Sequence, residues 1–155
     1  MKLRIHSVAG KMPAWVEAGV EEYSRRLPRE LQPDWVTLPL GKRSRNVNPL
    51  AVMAEESDRL LQSVRSDWHM VLLDVTGKAW DTPTLAHHVQ AWQLQGRDVS
   101  LVIGGPDGVD DRVRQQAAQR WSLSALTLPH PLVRILLTEQ LYRAWTVLQG
   151  HPYHK

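Results

Sequence analysis

The chain of 155 residues is 43% hydrophobic and 23% charged, which fits one ordinary domain with a real core and excludes a disordered chain. The absence of cysteine excludes disulfides, thiolate metal sites and cysteine nucleophiles. The net charge of +3 is uneven: residues 1–50 carry 9 Lys/Arg against 5 Asp/Glu, a basic third that could meet a polyanion but on charge alone reads as an ordinary solvated surface.

Taken in chain order, Leu3, Ile5 and Val8 predict a first strand. A helix follows from about Pro13, with Trp15, Val16, Gly19, Val20, Tyr23 and Leu27 at helical spacing. A short strand lies near Trp35–Leu38, and GKRSRN (41–46) is a basic polar loop. Asn48-Pro49 reads as an N-cap and first-turn proline, opening a helix with Leu50, Met53, Leu60, Leu61 and Val64 on one stripe. WHMVLLD (68–74) is a nearly continuous apolar run, as in a strand buried on both faces. Thr82-Pro83 opens another helix that Gly96 closes. DVSLVIGG (98–105) is a second buried strand. A helix over about 110–120 leads to WSLSALTLPHP. The last helix spans about Pro131 to Gln149, and Gly150 stops it before the tail HPYHK.

Alternating strands and helices predict one α/β domain over residues 1–155, a mainly parallel sheet with helices on both faces. No apolar run reaches the length of a bilayer span, and the start lacks the apolar stretch of a signal peptide. A soluble, cytoplasmic protein without a membrane partner is expected. Ligands of such sheets bind beyond the carboxyl ends of the strands. That draws attention to Leu73-Asp74, to Gly104-Gly105 and to the segment after Ser122.

GGPDG (104–108) matches neither GxGxxG nor GxxxxGK[ST], so it is a ligand loop or simply a tight turn. Asp74 is an acid that could meet a ribose hydroxyl, but before Thr76-Gly77 it reads better as a turn former. SLSALTLPHP (122–131) could line an adenine slot or be a strand and a proline-stopped loop. Arg134, Glu139, Gln140, Tyr142 and Arg143 on the last helix, with His151, Tyr153, His154 and Lys155 behind them, suit phosphate and unpaired bases. The plainer alternative is an amphipathic helix with a frayed end. His87 and His88 point to different helix faces and make poor metal ligands. No HExxH, GxSxG or carboxylate cluster occurs, and no metal is expected.

As a set, LDVTGKAWDTP (73–83), LVIGGPDG (101–108), WSLSALTLPHPLVRILLTEQLYRAW (121–145) and HPYHK (151–155) resemble the RlmH family. KMPAWVEAGVEEYSRRLPRE (11–30) and GKR (41–43) are similar to it as well, so the resemblance spans the chain. It implies a SPOUT methyltransferase with a C-terminal trefoil knot, which spacing alone would not have supplied. It implies S-adenosylmethionine as cofactor, N3 of a pseudouridine in 23S ribosomal RNA as target, the assembled ribosome as partner, and a homodimer whose RNA site both subunits complete. The implied cofactor pocket uses Leu73, Gly104, Leu123, Ser124, Ala125, Leu126, Thr127 and Leu128.

Methylating an imide nitrogen requires that its proton leave, so a base and a positive neighbour are sought. His154 is the candidate base, Arg143 its electrostatic partner, and Tyr153 an orienting or stacking group. Glu139 is a rival base or, one turn from Arg143, an orienting group. Arg25, Arg26, Lys42, Arg43, Arg45 and Arg134 are the candidate RNA contacts. Three rivals stand beside this reading: a SPOUT enzyme acting on another RNA nucleotide, a non-enzymatic ribosome-binding factor, and a nucleotide-dependent oxidoreductase, which the missing GxGxxG counts against.

Overall fold

The computed structural model describes residues 1–155. Five strands form one all-parallel sheet: β1 (Leu3–Val8), β2 (Asp34–Leu38), β3 (His69–Ala79), β4 (Val99–Ile103) and β5 (Gln119–Ser122), in the order β2-β1-β4-β3-β5. Five helices connect and cover them: α1 (Ala14–Ser24), α2 (Pro49–Ser63), α3 (Thr82–Gln95), α4 (Asp111–Gln116) and α5 (His130–Leu148). This is the α/β alternation expected from the sequence.

Two-residue periodicity sorts the buried side chains into two layers. Leu3, Ile5, Val71, Val99, Leu101 and Ile103 point toward α3 and α5, where they meet Leu85, Val89, Trp92, Leu137 and Leu141. Val8, Met70, Leu72 and Val102 point the other way, toward Leu60 of α2 and Val113 of α4. His6 lies on this second face, 1% exposed, with Nδ1 bonded to Ser63 Oγ at 2.9 Å and Nε2 to Ser100 Oγ at 3.1 Å. Helix starts follow the sequence signals: the Asn48 side chain accepts from Leu50 N–H, Asp81 accepts from Thr84 N–H, and Gly96 closes α3 at φ 66°.

Three expectations need correction. The helix foreseen over 110–120 ends at Gln116, and Gln119–Ser122 instead pairs with β3 as an edge strand. Glutamine and alanine at 115–119 favour helix, but Trp121 gains more by packing against the core, where it is 2% exposed. The strand foreseen to stop at Asp74 runs to Ala79, with a bulge between Leu73 and Lys78 on either side of Trp121. Gly77 permits that bulge, since a Cβ there would sit 2.7 Å from the Arg120 carbonyl. On α2, Leu50 is 67% exposed, and the buried face is Val52, Glu56, Ser57 and Leu60.

Candidate active site

A cavity of about 670 Å³ opens where the carboxyl ends of β1, β3, β4 and β5 converge. This is the volume of a small-molecule site. The three segments singled out by the strand-end rule all reach it. Leu73, Gly104, Leu123, Ser124, Leu126, Thr127 and Leu128 line it, while Ala125 does not. Asp107 of GGPDG and His130 of SLSALTLPHP line it too, as do Met12, Arg114 and Val133, which the sequence did not single out. Each of these last three comes from a loop or helix start beside a strand end, so only the topology could find them.

The walls suit an adenosyl group. Leu73, Ile103, Leu126 and Leu128 are apolar. Within 123–128 the internal hydrogen bonds are Leu126 N–H to Ser124 Oγ at 2.9 Å and Ser122 Oγ to the Ser124 carbonyl at 3.0 Å. The backbone groups of Thr127 and Leu128 are therefore left for a ligand's polar edge. At Gly104 a Cβ would lie 2.7 Å from Val109 Cγ1, so the turn closes only over a bare backbone. The residues present fit S-adenosylmethionine.

Asp74 is not a free acceptor. Its Oδ1 accepts from Thr76 N–H and Oγ1, and its Oδ2 from Arg114 Nε and from Arg120 Nε and Nη2. Burial pushes its carboxyl up, but Thr76 and Arg120 outweigh that and hold it below the usual aspartate range. The turn expected at Asp74 is not formed, because β3 continues through it to Ala79 and its carboxylate instead braces the bulged part of that strand.

His130 and Arg134 tie the start of α5 to the sheet. Arg134, 8% exposed, donates from Nε to His130 Nε2 at 3.0 Å and from Nη2 to Ser7 Oγ at 2.7 Å and Thr37 Oγ1 at 3.1 Å. Its guanidinium stacks over Trp35 at 4.7 Å. The hydrogen bond requires a neutral acceptor nitrogen, and burial, with Arg134 beside it, lowers the His130 pKa to about 4. Arg134 thus faces inward, with its guanidinium bonded within the fold.

The tail residues form a second cluster. Glu139, 9% exposed, accepts at Oε1 from Arg143 Nε at 3.0 Å, Arg143 Nη2 at 2.6 Å and the Tyr153 hydroxyl at 2.9 Å. Gln140 donates to its Oε2 at 2.6 Å. Holding Arg143, Tyr153 and Gln140 at once, Glu139 orients its neighbours. Burial and the Glu139 carboxylate push the Tyr153 phenol up to about 12, which keeps it a donor. Arg143 lies 5.0 Å over the Tyr153 ring, and Tyr142 meets that ring edge-on. His154 is half-buried, and its Nδ1 is buried without a partner. Arg26 joins this end, standing over Tyr23 and Tyr142 and paired with Glu22, which also holds Arg25.

The pocket and the tail cluster occupy successive parts of α5. Val133 is the last α5 residue to line the pocket, and Glu139, to which the Tyr153 hydroxyl is bonded, lies six residues further along the helix, about 9 Å. None of Tyr153, His154 and Lys155 lines the pocket of its own chain. Lys42, Arg43 and Arg45 of the basic loop are all exposed, and Arg43 alone among them is bound to Glu56 and Asp107.

A parallel α/β sheet with a nucleoside-sized pocket at its strand ends and a polar C-terminal cluster defines a class of cofactor-binding α/β proteins. Residues 1–154 match the family model described as "Predicted SPOUT methyltransferase". The chain is 53% identical, over its full length and that of the relative, to "Ribosomal RNA large subunit methyltransferase H" of Saccharophagus degradans. It is 50% identical over its full length to the proteins of that name from Hahella chejuensis and Methylococcus capsulatus, covering 99% and 100% of them. The chain belongs to the SPOUT methyltransferase family.

Proposed function

We propose that this protein transfers a methyl group from S-adenosylmethionine to N3 of a pseudouridine in large-subunit ribosomal RNA, as a homodimer acting on the assembled ribosome. The observation that carries this reading is the strand-end pocket lined by Leu73, Gly104 and the 123–128 segment, in a chain half identical to named ribosomal RNA methyltransferases. When bound, S-adenosylmethionine supplies an electrophilic methyl group on a positively charged sulfur. Every other requirement falls to the protein.

The pocket excludes water from one side of the reaction and holds the donor through backbone groups and apolar walls. The tail cluster handles the target base. His154 accepts the N3 proton. Arg143, oriented by Glu139, faces the charge that develops on the base. Tyr153, held by the same carboxylate, orients the nucleobase by its ring or hydroxyl. The absence of Tyr153, His154 and Lys155 from their own chain's pocket lining supports the dimer, because a tail that does not line its own pocket can serve a partner's. Lys42 and Arg45, exposed beside the pocket, take the role of phosphate contacts.

The test is methyl transfer from labelled cofactor to ribosomes lacking the modification. Truncation after Pro152 should abolish transfer while leaving S-adenosylhomocysteine binding intact. Full activity in the truncated protein would remove the tail from the mechanism.

A further inference from the structure

One wall of the pocket is the turn Gly104–Gly108, closed by a bridge between Gly105 and Gly108 with a 2.9 Å backbone hydrogen bond. The turn rests on a buried carboxylate. Glu56 of α2 is 0% exposed, and a Cβ on Gly105 would lie only 2.6 Å from its Oε1. Glu56 accepts from Gly41 N–H, Arg43 Nη1 and Arg43 Nη2, each at 2.8 Å. The same guanidinium donates to Asp107 Oδ2 from Nη2 at 3.1 Å and from Nε at 3.3 Å. Asp107 belongs to the turn and lines the pocket.

A buried carboxylate is tolerated only when paired, and the two-pronged contact fixes the guanidinium in position as well as in charge. Burial pushes the Glu56 carboxyl up, but Arg43 and the Gly41 amide outweigh that and hold it below the usual range. Lysine, a point charge on a flexible stem, cannot make both contacts at once. Lys42 and Arg45 lie beside Arg43 in the same exposed loop, yet neither joins this network.

We propose that Arg43, backed by Glu56, is a positioning residue of the cofactor pocket: it cross-links the 41–43 segment, α2 and the 104–108 turn, and so sets the turn for the donor. The three basic residues of the loop are then divided, Lys42 and Arg45 facing RNA and Arg43 holding the turn that lines the pocket. The inference rests on the cofactor reading of that pocket.

The experiment measures S-adenosylhomocysteine binding by calorimetry without RNA, and the salt dependence of binding to unmodified ribosomes. Arg43→Ala should weaken S-adenosylhomocysteine by about tenfold, equivalent to about 1.4 kcal/mol. Arg43→Lys should recover little of this. Because Arg43→Ala strands a buried charge, the pair Arg43→Met with Glu56→Gln removes both charges and tests the same cross-link in a protein whose folding a thermal melt verifies. It too should lose affinity for S-adenosylhomocysteine. In turnover, the KM for S-adenosylmethionine should rise more than kcat falls. Lys42→Ala with Arg45→Ala should bind S-adenosylhomocysteine as wild type does, and flatten the salt slope instead. If the charge-neutral pair binds within about twofold of wild type, or if Arg43→Ala flattens the salt slope as the flanking residues do, Arg43 is not a positioning residue. If wild type itself does not bind S-adenosylhomocysteine, the pocket reading falls first and this inference with it.

Discussion

A chain truncated after Pro152 and a full-length chain carrying Thr127→Trp should each be inactive alone and regain activity when mixed. The first loses Tyr153, His154 and Lys155 but keeps an unaltered pocket. The second keeps its tail, and an indole at exposed, pocket-lining Thr127 fills part of the 670 Å³ cavity without disturbing the core. The reasoning is geometric. None of Tyr153, His154 and Lys155 lines its own chain's pocket, and Tyr153 is held at Glu139, about 9 Å along α5 beyond pocket-lining Val133. If a two-fold dimer brings each tail to the partner's pocket, a mixed dimer has one site with both parts intact and one with both disabled. Random exchange of equal amounts makes about half of all dimers mixed, so activity per chain should return to about a quarter of wild type. The assay is methyl transfer to unmodified ribosomes after denaturation and joint refolding, with calorimetry verifying that only the truncated chain binds S-adenosylhomocysteine. Activity no greater than the sum of the two separate preparations would refute the shared site.

Tyr153→Phe removes the 2.9 Å hydrogen bond to Glu139 and should lower kcat about tenfold, the effect of roughly 1.5 kcal/mol for one bond to a charged acceptor. Unchanged kcat would show that only the ring matters. Neutralising Lys42 and Arg45 together should reduce the slope of log affinity against log salt by about 1.5 if each meets one phosphate, and an unchanged slope would place the RNA elsewhere. Acid should destabilise the fold through His6. Burial, with Arg4 nearby, lowers its pKa to about 4, below the unfolded value of about 6.5. The native state therefore favours the neutral ring. Its contribution is full above about pH 6.5 and is lost progressively toward pH 4, with a limit of about 3 kcal/mol for the buried ring. Denaturant melts of His6→Asn across that window should be flatter than those of wild type, and parallel curves would exclude His6 as the titrating group.

The strand ends were legible because their chemistry is local. Two buried apolar runs stop at Leu73-Asp74 and at Gly104-Gly105, and parallel sheets bind ligands there. The pocket contains both, together with the 123–128 segment. What the sequence hid depends on partners distant in the chain. Arg43 sits between Lys42 and Arg45 in a basic loop, and only the fold brings it to Glu56 and Asp107. Glu56 itself occupies a helix face that an apolar pattern would leave to a hydrophobe. Arg134 reads as an exposed cation on an amphipathic helix, yet Ser7, Thr37 and His130 draw it inward. The residues at 115–119 carry helix propensity and are overruled beyond Gln116 by the pairing of β5 with β3.

The most direct test of the proposed activity is to supply labelled S-adenosylmethionine with assembled ribosomes from cells lacking the modification, and with free ribosomal RNA in parallel, then to map the label by mass spectrometry of RNA fragments. The prediction is label on N3 of one large-subunit pseudouridine, in assembled particles only. Label on a different nucleotide, or none from a protein that binds the cofactor, would contradict it.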